Sequence, residues 1–509
     1  ASGLSSFIGG GYCNTASEKG STLVGGYANC SAGCGTFVGG GQNNQARCNC
    51  SAIVGGCGNT SCGTYSVVVG GRNNSVQSGC DGSIVGGCGN EACEGSFVGG
   101  GHCNCALASS CFSIIGGGCK NCATGGSSFI GGGRENTANS TAVVIGGGCS
   151  NLGSSDFATI AGGCSNDIQS CAGTIGGGKE NLVCAGCATI AGGYSLSALN
   201  TFDVVVGGCK NRIAGDSSKG SASFVGGGFH NAVTCGNAGV VIGGTCNSVI
   251  NNHGIVVGGH TNTATASAFV GGGNKNCACG THSVVGGGNC NTVGTNTYST
   301  ILGGCGNTAC GTGAVTVGGN TNKNTGAYAF IGGGACNCTT DGHAVLGGGE
   351  GNCASGCRSA VVGGCGNKTS CDGGVIVGGV TNCVNSSYGI IAGGQFGCVL
   401  SDYGSIAGGY CNCVCAPYGF IGSGCDNNIG GTKANPCNWP GGGAGAGRAG
   451  FCHSSIFGSD IHAVSGNTLH TNRLWLSADN CGCGIPTSNP KVAGMIWRSG
   501  NDLKISTGP

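Results

Sequence analysis

The chain has 509 residues, of which 119 are Gly and 44 are Cys; 7% are charged and the net charge is +1. This balance provides no basic surface for a nucleic acid, and no apolar stretch approaches the roughly 18 residues of a membrane-spanning helix. The start at Ala1, with Met495 as the single Met and no secretory signal, implies that a leading segment has been removed or lies upstream.

From Ile8 to Ser423 a small apolar pair followed by Gly-Gly or Gly-Ser recurs twenty-eight times, about 15 residues apart. That period is too short for a helix pair or a propeller blade and fits one coil of a β-solenoid. Each copy reads strand, turn, strand, turn, close to S-[F/V/I]-[V/I]-G-G-(G)-x-x-N-x-[A/V]-x-x-G. Anchored on the first glycine, the preceding residue is always Val, Ile, Leu or Ala, and the one before it is Phe, Ile, Val or Leu except at Thr174 and Thr316. Phe37, Val38, Val69, Val98, Phe129, Ile130, Phe269, Val270, Phe330 and Ile331 mark these columns.

Neighbouring strand residues point to opposite faces, so both faces of this strand are apolar. A coil this small hides one column, and the other needs a partner. The pattern predicts an obligate homo-oligomer, three chains about one axis, with a slender two-fold dimer as the alternative. Coils stacked at about 4.8 Å would extend about 130 Å.

An Asn follows nearly every glycine run, as at Asn59, Asn74, Asn90, Asn307 and Asn322. Stacked at strand spacing, these amides can bond along a ladder or cap the turn backbone. The coils beginning at Gly192 and Gly393 lack the Asn and keep the repeat, which favours a structural role. The glycines mark tight corners and are not phosphate loops, since no Gly-Lys-Ser/Thr follows them.

The cysteine content points to an oxidising environment. Three coils read GGCGNxxCG, which suggests bonds within a coil between Cys57 and Cys62, Cys88 and Cys93, and Cys305 and Cys310; Cys365 and Cys371 form a looser copy. Equivalent columns offer staples between coils, such as Cys149 with Cys164, Cys105 with Cys122 and Cys338 with Cys353. The C-x-C strings at 48/50, 103/105, 277/279, 336/338, 411/413/415 and 481/483 could chelate a soft metal where alternate residues share a face. No second partner pair completes such a site, so no metal and no cofactor is expected. GGxGN also lacks the Asp of calcium-binding β-rolls.

The alternation of N-x-A-S-G-like with S-F-V-G-G segments over residues 1–424 resembles the head repeats of trimeric autotransporter adhesins. That resemblance implies a left-handed parallel β-roll, an all-β trimer of about 28 coils. No heptad stalk or membrane β-barrel follows it. Residues 425–452 read as a Gly/Pro-rich linker and 453–509 as a small β cap or tip. The ending IPTSNPKVAGMIWRSGNDLKIS is similar to segments that close phage and marine-virus tail-fibre proteins.

Catalysis has little to stand on. His102, His230, His253, His260, His282 and His343 read as turn residues at different offsets, and Glu135, Asp156, Asp203 and Glu350 as isolated, solvated acids. The expected function is a structural, disulfide-stabilised fibre outside the cell or on a virion surface, attaching to a host glycan or protein, with no membrane insertion. A self-assembling filament subunit or an adhesin head without a receptor role is the alternative. Trp439, Trp475, Trp497, Arg473 and Arg498 gather the side chains that usually anchor recognition; core residues of a cap are the other reading of Trp475 and Trp497.

Overall fold

The computed structural model describes residues 1–430, except 78, 108–111, 216–221 and 235–236, together with the strands Ser455–Phe457, His462–Ala463, Leu469–Thr471, Ile496–Ser499 and Asp502–Ile505. The fold is an all-β parallel solenoid of about 27 turns, each of about 15 residues. Two compact units, Ala1–Asn322 and Lys323–Pro509, are built from the same coil.

Each coil carries two short strands. The front strand is the apolar pair, as in Phe37–Val38 and Ala52–Ile53, and the back strand follows the Asn, as in Gln45–Ala46 and Thr60–Ser61. Front pairs with front and back with back, parallel and in register: Phe37 lies beside Ala52, Val38 beside Ile53 and Gln45 beside Thr60.

The register is set by the last glycine of each run, not the first. Gly26, ending a pair, stacks with Gly41, ending a triplet, at φ of +102° and +90°. A Cβ on Gly26 would strike the Gly41 carbonyl oxygen and lie 2.5 Å from Asn29 Nδ2, so only glycine serves. The residue before the first glycine therefore belongs to two different columns. Val38, Val98, Ile130, Val270 and Ile331 are inner and fully buried, whereas Val69 is outer and 44% exposed. Phe37, Phe129, Phe269 and Phe330 also face outward. Thr174 is likewise outer, while Thr316 is buried with its hydroxyl unpaired.

Inside, the large front column (Leu23, Val38, Ile53, Val68) meets a smaller back column (Ser31, Ala46, Ser61, Val76). Volume is balanced locally. Where the back residue is Val399, the residue leading into the next front strand is Gly404, and a Cβ there would lie 2.8 Å from Cγ1 of both Val399 and Val414. Where it is Ser61, that place holds Ser66, and the two hydroxyls bond at 2.6 Å. This is the jigsaw packing of a dense core. Asp203 occupies the same leading position and is fully buried, accepting the backbone N–H of Asn200 at 2.9 Å and of Ser223 at 3.1 Å. It caps backbone and is not the solvated turn acid its isolation suggested.

The Asn corner ties the coils together. Asn44 Nδ2 donates to the carbonyls of Gly40, in its own coil, and Gly56, in the next, each at 2.9 Å. Its Oδ1 accepts the backbone N–H of Asn59 at 3.0 Å. Asn59, Asn74, Asn90 and Asn307 repeat these three bonds, and Asn322 donates to Gly318 at 2.9 Å. The amides bond mainly to backbone, with amide-to-amide contacts at a few rungs such as Asn136 on Asn121.

The parallel ladder runs past residue 424. Asn428–Ile429 pairs with Cys413–Val414, and His462–Ala463 pairs in turn with Asn428–Ile429. Ser455–Phe457 pairs with Phe420–Ser423 and with Leu469–Thr471. Ile496–Ser499 and Asp502–Ile505 form an antiparallel hairpin.

Two substitutions test this packing. Asn136→Ala removes the donor from the carbonyls of Gly132 and Gly148 and the acceptor from the N–H of Asn151, and each buried group left unpaired costs about 1–3 kcal/mol. Gly404→Ala overpacks the core at a cost of about 1–3 kcal/mol. Urea unfolding should show both losses; wild-type midpoints in both would contradict this account of the coil.

Candidate functional site: the outward faces of the coils

The front sheet presents two outward positions per coil, flanking the inner residue, and in many coils their sizes are complementary, though both are large at Val67/Val69 and Ile255/Val257 and both small at Thr174/Gly176 and Thr189/Ala191. Phe7, Phe37, Phe97, Phe129, Phe224, Phe269, Phe330 and Phe420 are each followed two residues on by Gly. The ring lies over that glycine, so a Cβ on Gly131 would sit 3.5 Å from Phe129 Cε1. Where the first position is small, as at Thr22, Ala52, Ser83 and Thr300, the second is Val24, Val54, Val85 and Leu302. Val54 is 51% and Leu302 53% exposed. No charged residue occupies either position in the described coils.

The back sheet is chemically different. Its outer column in the second unit reads Lys323, Cys338, Cys353, Lys368, Cys383, Cys398 and Cys413, each in register with the next. Cys383, Cys398 and Cys413 are buried, packed with Leu400 and Cys415. In the first unit Cys105 lies beside Cys122. A hydrogen bond donated by the Cys338 thiol, opposed by burial and aided by the Ser355 hydroxyl at 2.9 Å and by Lys368, holds Cys353 down at about 6; Cys338 is pushed up in turn. Cys122 is held at about 7 by the thiol of Cys105.

The cysteine pairs expected within a coil do not form. Cys57, Cys62, Cys88, Cys93, Cys305 and Cys310 are all free. The first of each pair sits on the turn before the Asn and the second beyond the back strand, with the corner between them. The columns between coils are adjacent as expected, Cys149 beside Cys164 included, and these cysteines too are thiols. Of the described C-x-C strings only 277/279 and 413/415 start on the outward residue of a back strand and share its face. Cys277 and Cys279 are bonded, with Cα atoms 5.6 Å apart, and the sulfurs of Cys413 and Cys415 lie 3.5 Å apart. Those at 103/105, 336/338 and 411/413 straddle the buried Asn, and 48/50 lies in a turn.

A third column escaped the sequence reading. The corner before the front strand takes left-handed backbone at non-glycine residues, including His253, His282, Tyr298, Tyr328, His343, Tyr388, Tyr403 and Tyr418. Three histidines thus share one offset. Neighbouring rings stack, Tyr388 on Tyr403 at 5.3 Å and Tyr403 on Tyr418 at 5.0 Å. Ring faces therefore cover one another, leaving no flat platform.

Among the described residues no group of three or more His, Cys, Asp or Glu converges on a metal position, and no helix is long and apolar enough to cross a membrane. Trp439, Trp475 and Arg473 lie outside the described residues, while Trp497 and Arg498 lie on the first strand of the terminal hairpin, opposite Lys504 and Leu503. No protein-family model matches the chain, and no curated protein matches it.

Alkylation of the reduced protein checks the thiol column. Thiolate is the nucleophile, so labelling of Cys353 should rise through pH about 6 and be level at neutral pH. Cys371, whose thiol is pushed up by burial, should still be climbing in the alkaline range. Identical profiles at both positions would contradict the hydrogen-bonded pair.

Proposed function

We propose that the chain is a structural fibre subunit, outside a cell or on a virion surface, whose copies associate through the outer face of the front sheet, three about one axis. One observation carries this reading: that face offers an exposed Phe, Val, Ile or Leu in most coils, interrupted at Thr159–Ala191 and Ser405–Ala407, with no charge among its outward positions. A single coil offers too little area to hold a partner. Stacking multiplies it, and a second copy of the chain carries the same repeat at the same spacing, which suits an interface between identical subunits.

In this reading the repeats act as a spacer, and attachment to a host glycan or protein belongs to the C-terminal segment that resembles viral fibre endings.

The register separates association from folding. Val54, Val69 and Val85 all point outward, at 51%, 44% and 45% exposure. Changing the three together to Asp should turn an oligomer into a monomer in sedimentation equilibrium while the β-type circular dichroism is kept. Val38→Asp, in the buried column, should unfold the coils around it. A wild-type chain that sediments as a monomer, or an outer triple variant that stays assembled, would reject the proposal.

A further inference from the structure

The back-sheet cysteines stand at a spacing that suits an ion better than a bond. Cys338 and Cys353, and Cys383 and Cys398, are register partners on adjacent parallel strands. Such strands lie about 4.8 Å apart, and side chains at matched positions project in parallel, so their Cβ atoms keep that interval. A relaxed disulfide draws its Cβ atoms to about 3.8 Å, which the ladder on either side resists. All four residues are free cysteines in the structure. Cys277 and Cys279, which are bonded, lie instead within one coil.

Two metal–sulfur bonds of about 2.3 Å laid end to end span about 4.6 Å, close to the strand interval. A two-coordinate ion would therefore bridge adjacent coils without moving the backbone. Zinc asks for four ligands; Cys413 follows Cys398 in the column, but no three described His, Cys, Asp or Glu side chains converge on one metal position. Soft thiolates select monovalent copper. A bis-thiolate complex of that ion carries one net negative charge, and Lys368 stands in the same column, in register with Cys353 on one side and Cys383 on the other. Burial of Cys383 and Cys398 shields the second pair from water.

We propose that Cys338/Cys353 and Cys383/Cys398 each bind one monovalent copper ion in two-coordinate form between adjacent coils, with Lys368 between them balancing the charge. The ion replaces the thiol protons of the pair, which pass to solvent, and no oxidation state changes. Cys105/Cys122 has the same register, but Glu91 lies beside Cys105, with a carboxylate oxygen 3.8 Å from its sulfur. That charge opposes an anionic complex, so this pair fills after the other two.

The test uses the reduced full chain under oxygen-free conditions, loaded stepwise with monovalent copper as its acetonitrile complex. The loaded protein is then alkylated with N-ethylmaleimide and mapped by peptide. Labelling at Cys338, Cys353, Cys383 and Cys398 should fall at least about tenfold, before any change at Cys105 and Cys122, while the exposed Cys13 and Cys246 stay fully labelled. Lys368→Gln should weaken protection at both pairs while leaving the circular dichroism unchanged. Uniform labelling, earlier protection of Cys105 and Cys122, unaltered protection in Lys368→Gln, or recovery of Cys338–Cys353 as a disulfide from untreated protein would each overturn the proposal.

Discussion

At a typical glycine corner the buried Asn carboxamide, as at Asn44, gives one proton to a glycine carbonyl in its own coil and the other to a glycine carbonyl in the next, and its oxygen takes the N–H of the Asn that follows. Backbone N–H groups also reach the next coil at most positions, as from Cys30 to Asn44, Ala32 to Ala46 and Phe37 to Ser51, and the side-chain bonds add to them at the glycine corner. They also hold the glycine runs in their left-handed corner, where a side chain would meet the neighbouring carbonyl. Glycine takes this backbone without strain, while left-handed residues such as Asn43 bear a cost that bonds between coils offset, the Asn43 N–H reaching the Tyr27 carbonyl at 3.0 Å.

With the corners and interior fixed this way, the outward positions are free to carry different chemistry on different faces. The front sheet stays apolar, the back sheet collects cysteine and lysine, and one corner collects stacked rings. The two coils without the Asn show what the ladder tolerates. Leu196 fills the place with an apolar side chain and keeps the backbone bond to Asn181 Oδ1 at 3.0 Å. Gly397 leaves a hollow lined by Lys368, Asn382, Cys383, Phe396 and Cys398, while its N–H still bonds Asn382 Oδ1 at 2.8 Å.

Period, strand count and the Asn column were legible in the sequence because each repeats at one spacing and answers to one physical need. The face of each apolar residue was not. Pairs and triplets of glycine look alike when aligned on their first member, yet the left-handed corner sits at the last, so Val38 and Val69 were read as one column although they point opposite ways. Asp203 could have been found by aligning it with Ser51 and Ser66, which lead into the front strand at the same place. Shared occurrence of Cys57 and Cys62 suggested contact, but a buried Asn and a back strand intervene, and spacing alone does not show which way a corner turns.

That the Asn side chains pin the glycine corner, from which each coil takes its register, is the claim on which the rest depends. Native-state hydrogen exchange read by residue tests it most directly. Backbone amides at the Asn corners should be the slowest to exchange in each unit, with the Gly397 coil opening ahead of its neighbours. Exchange at the Asn corners as fast as at the opposite, ring-bearing corners would contradict the account.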